Sequence, residues 1–182
     1  MITPQEFKKL WTPFFNDDPT IDELVAFDSE TLMDISIPEN AKRFLIEAGL
    51  PRSAAPFLSF AYPDALELPD LATQWELNDQ YKKFREIGGT GSGNPICIEE
   101  ISGRVVYVDH DNRFDIILFN SSIEQLAESM LVYRDYVKKI RDKNGDEAYI
   151  KGNIPTELSD WLFKELSRID PLAMGSKSFW RY

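Results

Sequence analysis

Three places in this sequence hold residue types capable of chemistry: Asp109-His110-Asp111, Cys97, and the glycine run Gly88-Gly89-Thr90-Gly91-Ser92-Gly93. Two carboxylates around an imidazole could bind a metal or act as an acid–base pair. Adjacent residues on a strand point to opposite faces, however, so the triplet does not converge on one ion without a special turn. The chain has one histidine and one cysteine, fewer than the usual zinc sites require. The triplet therefore reads as a solvated strand end. Cys97 sits between Ile96 and Ile98. A catalytic thiol needs a nearby base and some exposure. Nothing in the sequence brings His110 to Cys97, which reads as a buried structural cysteine. The glycine run would cradle phosphate only if Lys and Ser or Thr closed it and opened a helix. Asn94-Pro95 and a strand follow instead, and the next basic residue is Arg104. The run reads as a turning connector. Glu99-Glu100 reads as an exposed acidic rim, and Ser121 and Ser122 as helix caps rather than nucleophiles. No arrangement names a reaction.

The elements that position these residues centre on Gly88 to Glu124. Ile96-Cys97-Ile98, Val105 to Asp109 and Phe114 to Phe119 are short apolar runs ended by turn residues. Ser102-Gly103 and His110 to Arg113 are the turns between them. Such short connections fit antiparallel strands and argue against a parallel βαβ sheet. Ser121-Ser122-Ile123-Glu124 reads as a capping box. The helix it starts carries Ile123, Leu126, Ala127, Met130, Leu131 and Val137 as an apolar stripe and is expected to end near Lys139 and Arg141. Ahead of the sheet, Thr3-Pro4-Gln5-Glu6 opens a helix expected to end near Trp11, before Pro13. Asn16 to Pro19 reads as a turn, and Leu32 to Ser36 as an irregular or strand-like lead-in. A second helix runs from Pro38 to Ala48 and stops at Gly49 and Pro51. Phe57 to Phe60 is a brief strand, Tyr62 to Thr73 an exposed loop, and Tyr81 to Ile87 is read as a strand. After the Asn144-Gly145-Asp146 loop, Pro155 to Ile169 forms a last helix, and the aromatic tail Phe179 to Tyr182 is expected to dock.

Length and composition narrow the class. A chain of 182 residues with 43% hydrophobic and 13% aromatic content supports one globular domain, expected to span residues 1–182. A formal charge of −11 disfavours free nucleic acid as a direct ligand, which needs concentrated Lys and Arg. It suits a basic protein partner, whose encounter an acidic surface accelerates, and equally a surface charge that only keeps the protein soluble. No apolar run is long enough to span a bilayer, and the segment MITPQEFKKLW lacks the pattern of a secretory signal. With a single cysteine the expected compartment is the cytoplasm.

Taken in order, several segments resemble the SUKH superfamily, in particular its fourth subgroup. They are the proline-led helix ending in Gly49-Leu50-Pro51, then Gly93-Asn94-Pro95-Ile96-Cys97-Ile98, then Gly103 with Val105-Val106. Phe119-Asn120-Ser121-Ser122-Ile123-Glu124-Gln125-Leu126 and the C-terminal Phe179-Trp180 complete the set. The similarity covers roughly residue 30 to the end. Many relatives carry Asp where this chain has Asn94.

The resemblance implies an α+β fold, a single domain with a twisted, mostly antiparallel central sheet flanked by helices. It implies a non-enzymatic bacterial immunity protein with no cofactor and no metal. Its partner would be a cognate toxin domain, often a nuclease, neutralised by stoichiometric occlusion, with carboxylates standing where nucleic-acid phosphates would sit. On that reading the contact candidates are Glu99, Glu100, Asp109, Asp111 and Asp115, all near strand ends or turns, with Tyr107 and Trp75 as apolar anchors. The alternatives are a regulatory scaffold of cell-wall or stress signalling, as some relatives are, and a small enzyme holding a nucleotide at Gly88–Gly93.

Overall fold

Thr3 and Glu6 close the expected capping box. Glu6 N donates to Thr3 Oγ1 at 3.2 Å and Thr3 N donates to Glu6 Oε2 at 2.9 Å, which starts α1 (Pro4–Leu10). In the computed structural model residues 1–12, 22–60 and 68–181 are described; Pro13, the Asn16–Pro19 turn and the first part of the Tyr62–Thr73 loop lie outside them. β1 (Leu24–Val25) precedes α2 (Ser29–Met33), and here the strand-like expectation for Leu32 to Ser36 is corrected. Asp28 accepts from Thr31 N at 2.9 Å, so a side-chain cap places Leu32 and Met33 in a helix. α3 (Glu39–Glu47) buries Ala41, Phe44 and Leu45 as their spacing requires. It stops at Gly49, whose φ is 71° and whose added Cβ would meet Val25 O at 2.1 Å, so only glycine lets β1 and the chain after α3 approach. β2 (Leu50–Pro51) then pairs with β1.

The remaining strands form one antiparallel sheet. They are β3 (Ser53–Ala54), β4 (Leu58–Ser59), β5 (Phe84–Thr90), β6 (Pro95–Glu99), β7 (Val105–Asp109) and β8 (Asp115–Asn120), neighbours in that order. Between β4 and β5 lies α4 (Leu71–Gln74), where the loop expectation fails. Asp70 accepts from Thr73 N at 2.9 Å and caps a single helical turn. The strand expected over Tyr81 to Ile87 starts later. Tyr81 belongs to a 3₁₀ turn (Asp79–Tyr81), and β5 continues through Gly88 and Gly89. A Cβ on Gly88 would lie 2.4 Å from Ser59 O, so glycine there permits close strand contact.

The period of two sorts the sheet into two faces. Ile96, Ile98, Val105 and Phe119 join the larger core beneath α5 (Ile123–Asn144), which contributes Ile123, Leu126, Met130 and Tyr133. Cys97, Val106 and Val108 face the other way, under Leu71, Ala72, Tyr81 and Phe84, with Trp75, Leu77 and Phe114 at the edge. α5 is capped by Ser122 alone, which accepts from Gln125 N at 3.3 Å. The expected box fails because the cap lies one residue later than Ser121, and Glu124 instead accepts from Asn40 Nδ2 at 2.7 Å, tying α5 to α3. The helix runs past Arg141 to Asn144, ending at Gly145.

α6 (Thr156–Ile169) and the C-terminal segment complete the cover. Phe179 and Trp180 of the aromatic tail dock as expected, and Tyr182 lies outside the described residues. Trp180 stacks on Phe119 at 5.0 Å and donates its indole N–H to Phe119 O and Asn120 Oδ1, both at 3.2 Å. Asp170, buried beside it, accepts from Ser121 N at 2.6 Å, Ser121 Oγ at 2.9 Å and Asn120 Nδ2 at 3.3 Å. A buried carboxylate held by several donors fixes the turn after α6 against the end of β8.

Candidate functional site

Six of the seven residues read as contacts lie towards the two ends of β7, and Tyr107 lies at its middle. At its start lies Glu99. The residue is 5% exposed, so the exposed-rim expectation is corrected for it. Lys83 Nζ donates to Glu99 Oε1 at 2.7 Å. Ser102 Oγ at 2.7 Å, Arg104 Nη2 at 2.7 Å and Arg104 Nε at 3.0 Å all donate to Oε2. Burial alone would push the Glu99 carboxyl up. The hydrogen bonds from Lys83, Ser102 and Arg104, with the guanidinium charge, outweigh it and hold the carboxyl at about 2. Glu100 is half-buried and accepts from Arg85 Nε at 2.7 Å. The cause is register. β5 places Phe84 opposite Glu99 and Arg85 opposite Ile98, which brings Lys83 and Arg85 to acids 16 and 15 residues away. What protrudes from this hairpin is Ile101, 85% exposed and held at φ 66°, its N–H bonded to Ser36 O at 2.6 Å.

The other end carries Asp109, Asp111 and Asp115. Asp109 and Asp115 are directly opposite in the β7–β8 ladder, an arrangement that like charges disfavour. Lys177 relieves it, at 3.1 Å from Asp115, and Asn112 Nδ2 donates to Asp115 at 3.3 Å. The Asp109 side chain has no ion pair or hydrogen bond among the described residues. Asp111 is exposed and, among the described residues, pairs with His110 Nε2 at 3.4 Å. Arg113 lies exposed in the same turn.

Trp75 stands next to this end. Its indole N–H donates to the buried Glu86 at 3.1 Å, and its ring is 5.8 Å from both His110 and Phe114. His110 is fixed by Asn94, whose Oδ1 accepts the His110 backbone N–H at 3.0 Å and ring Nδ1 at 2.6 Å. Tyr81 Oη donates to Phe114 O at 3.1 Å and pins the turn from the other side. Half-buried Trp75 thus packs on the His110–Phe114 turn from the Val106–Val108 face, whereas Asp109 and its opposite Asp115 alternate onto the Tyr107 face. Tyr107, the second expected anchor, faces the larger core. It is half-buried against Phe119 at 6.1 Å and Phe179 at 5.8 Å, apart from Trp75.

The catalytic alternatives find little support in this geometry. Burial pushes the Cys97 thiol well above its ordinary value, and the Glu86 charge adds to it, so the thiolate a nucleophile requires is suppressed. Among the described residues no group of three or more His, Cys, Asp or Glu is placed to hold a metal. Gly91 to Asn94 is the turn between β5 and β6, closed by Gly93 N to Thr90 O and Thr90 N to Asn94 O, both 2.9 Å. Ser121 and Ser122 serve Asp170 and the α5 cap. Lys83, Arg85, Arg104 and Lys177 are the residues the sequence reading missed. The alternation of Lys83 and Arg85 around Phe84, opposite two glutamates, was the available signal.

The family model described as SUKH-4 immunity protein matches residues 3–182. No curated protein and no solved structure matches the chain.

Proposed function

Because the chain belongs to the SUKH-4 immunity protein family, we propose that it neutralises a basic toxin nuclease of a polymorphic toxin system by one-to-one occlusion in a bacterial cytoplasm. The family implies a toxin partner. The observation that supports the binding face is the strand end of Asp109, Asp111 and Asp115, next to the turn on which Trp75 packs, where two of the three carboxylates pair with no Lys or Arg among the described residues. A nuclease binds its substrate through Lys and Arg aimed at phosphates. Carboxylates spaced along a strand end and turn present the same sign of charge to those cations. They raise the encounter rate, while desolvation of a half-buried indole supplies residence time. In this reading the protein turns over no substrate. Glu99 and Glu100 keep their hairpin in shape, and Tyr107 supports the sheet from its core side.

No helix among the described residues is long and apolar enough to cross a membrane. The experiment that tests the proposal is affinity capture of the tagged chain from its host, followed by reconstitution with what is captured. One basic domain whose nuclease activity falls to zero at equimolar chain is the expected outcome. Capture of housekeeping partners alone, under conditions where toxin genes are expressed, contradicts it and favours the regulatory scaffold.

A further inference from the structure

Tyr133 and Tyr136 of α5, Ser159, Asp160 and Phe163 of α6, the intervening Tyr149-Ile150 segment and Trp180 line a cleft of about 660 Å3. Its floor is polar but satisfied within itself. Tyr133 Oη and Tyr149 Oη lie 3.0 Å apart, and Tyr136 Oη lies 3.3 Å from Ser159 Oγ. Such a floor makes no demand on a polar ligand. The rim is apolar and wet: Phe57 is 73% exposed, Ile150 83% and Phe163 45%. Phe57 is held at φ 60°, a conformation unfavourable for a bulky residue. It rests over Gly91, where any Cβ would approach the Phe57 Cβ to 2.8 Å. Large apolar side chains gathered around one concavity mark a protein interface.

Charge identifies the occupant. The chain carries −11, yet residues 138–168 hold seven cations and six carboxylates. Lys143 pairs with Glu157 and Lys151 with Glu147 in the same region. A strongly basic partner gains nothing here over the Asp109 rim, whereas two copies of an acidic chain can meet here without like-charge repulsion. Asp160 has no ion pair among the described residues. Arg181 stacks over Phe163 at 5.1 Å and donates Nε to Met174 O at 3.1 Å, with no carboxylate partner among the described residues. An apolar centre with one group of each sign is self-complementary under a two-fold axis. We propose that the chain forms an isologous homodimer through this cleft, with Ile150 and Phe163 of each copy buried against the other and Asp160 facing the second copy's Arg181.

Sedimentation equilibrium of the full chain up to about 1 mM tests this directly. A reversible monomer–dimer equilibrium is expected, and Ile150→Glu should weaken it at least about tenfold. The substitution sits on an exposed side chain, so circular dichroism and melting should match the parent protein. Asp160→Arg and Arg181→Asp should each weaken the dimer, and their combination should restore it to within about threefold, which a merely structural role would not do. A chain that stays monomeric to about 1 mM overturns the proposal, including the case where residues 145–163 are protected by a captured toxin instead. A dimer that Ile150→Glu leaves unchanged, or a double charge exchange that weakens it further than either single one, also overturns it. None of these results bears on whether the chain neutralises a toxin.

Discussion

Glu99 and Asp109 stand at opposite ends of the β6–β7–β8 meander, and their charge is put to opposite uses. At the Glu99 end, Lys83, Arg104 and Arg85 surround two glutamates, and the carboxylates hold a hairpin whose protruding residue is apolar Ile101. At the Asp109 end one of three aspartates, Asp115, pairs with a Lys or Arg, Lys177, among the described residues. A chain with net charge −11 therefore does not present that charge evenly. Strand register decides which acids are consumed by the fold and which remain available to a partner. Coulomb energy between exposed groups is small and screened within about 8 Å at physiological salt, so only acids left clustered and uncompensated can steer a partner.

The sharpest way to break this contrast is to remove Glu99. Glu99→Gln should cost roughly 2 kcal/mol of stability, because it leaves a buried site with two cations and a serine built around a missing charge. The figure is held down by the half-exposed Lys83 and Arg104. Denaturant melts would read the loss, and association with the toxin should change little. The pH dependence has a defined sign. The folded Glu99 carboxyl lies at about 2, below the ordinary value of about 4.3. Its stabilisation is therefore fully present above about 4.3 and is lost as pH falls towards 2. Between those values the parent protein should lose stability more steeply than Glu99→Gln, and equal slopes would contradict the assignment.

The next effect is at the other end. Asp109→Lys with Asp111→Lys should slow association by about tenfold at low salt and leave stability within about 0.5 kcal/mol. The smallest effect should come from Lys177→Ala. Freeing Asp115 should speed association about twofold, at a stability cost below about 1 kcal/mol, since the pair is exposed. If Lys177→Ala slows association instead, the lysine is itself a contact and the rim is not an acidic docking surface.

Much of this arrangement was legible in the sequence, for reasons of spacing. The apolar runs at Ile96, Val105 and Phe114 to Phe119 are short and end in turn residues, so the meander could be placed without partners. The α5 stripe predicted the helix over the sheet, and the order of motifs from Gly49 to Phe179 pointed to the family. Short helices were not legible. α2 and α4 have Asp–x–x–Thr caps at Asp28 and Asp70, but with 5 and 4 residues neither is long enough to show a helical period. The fate of Glu99 was hidden for a different reason. Its partner Lys83 is 16 residues away and becomes a neighbour only through the β5–β6 ladder. Local sequence shows two adjacent glutamates in both cases, paired or free.

The most direct measurement is stopped-flow association of the chain with the toxin domain captured from its host, at about 0.01 M and about 0.15 M ionic strength. The Asp109→Lys/Asp111→Lys protein should associate about tenfold more slowly than the parent at the lower salt, with the gap narrowing at the higher, while Glu99→Gln tracks the parent at both. Parent-like rates for the aspartate variant at low salt, or a slowing confined to Glu99→Gln, would show that the toxin meets a different face and contradict the account.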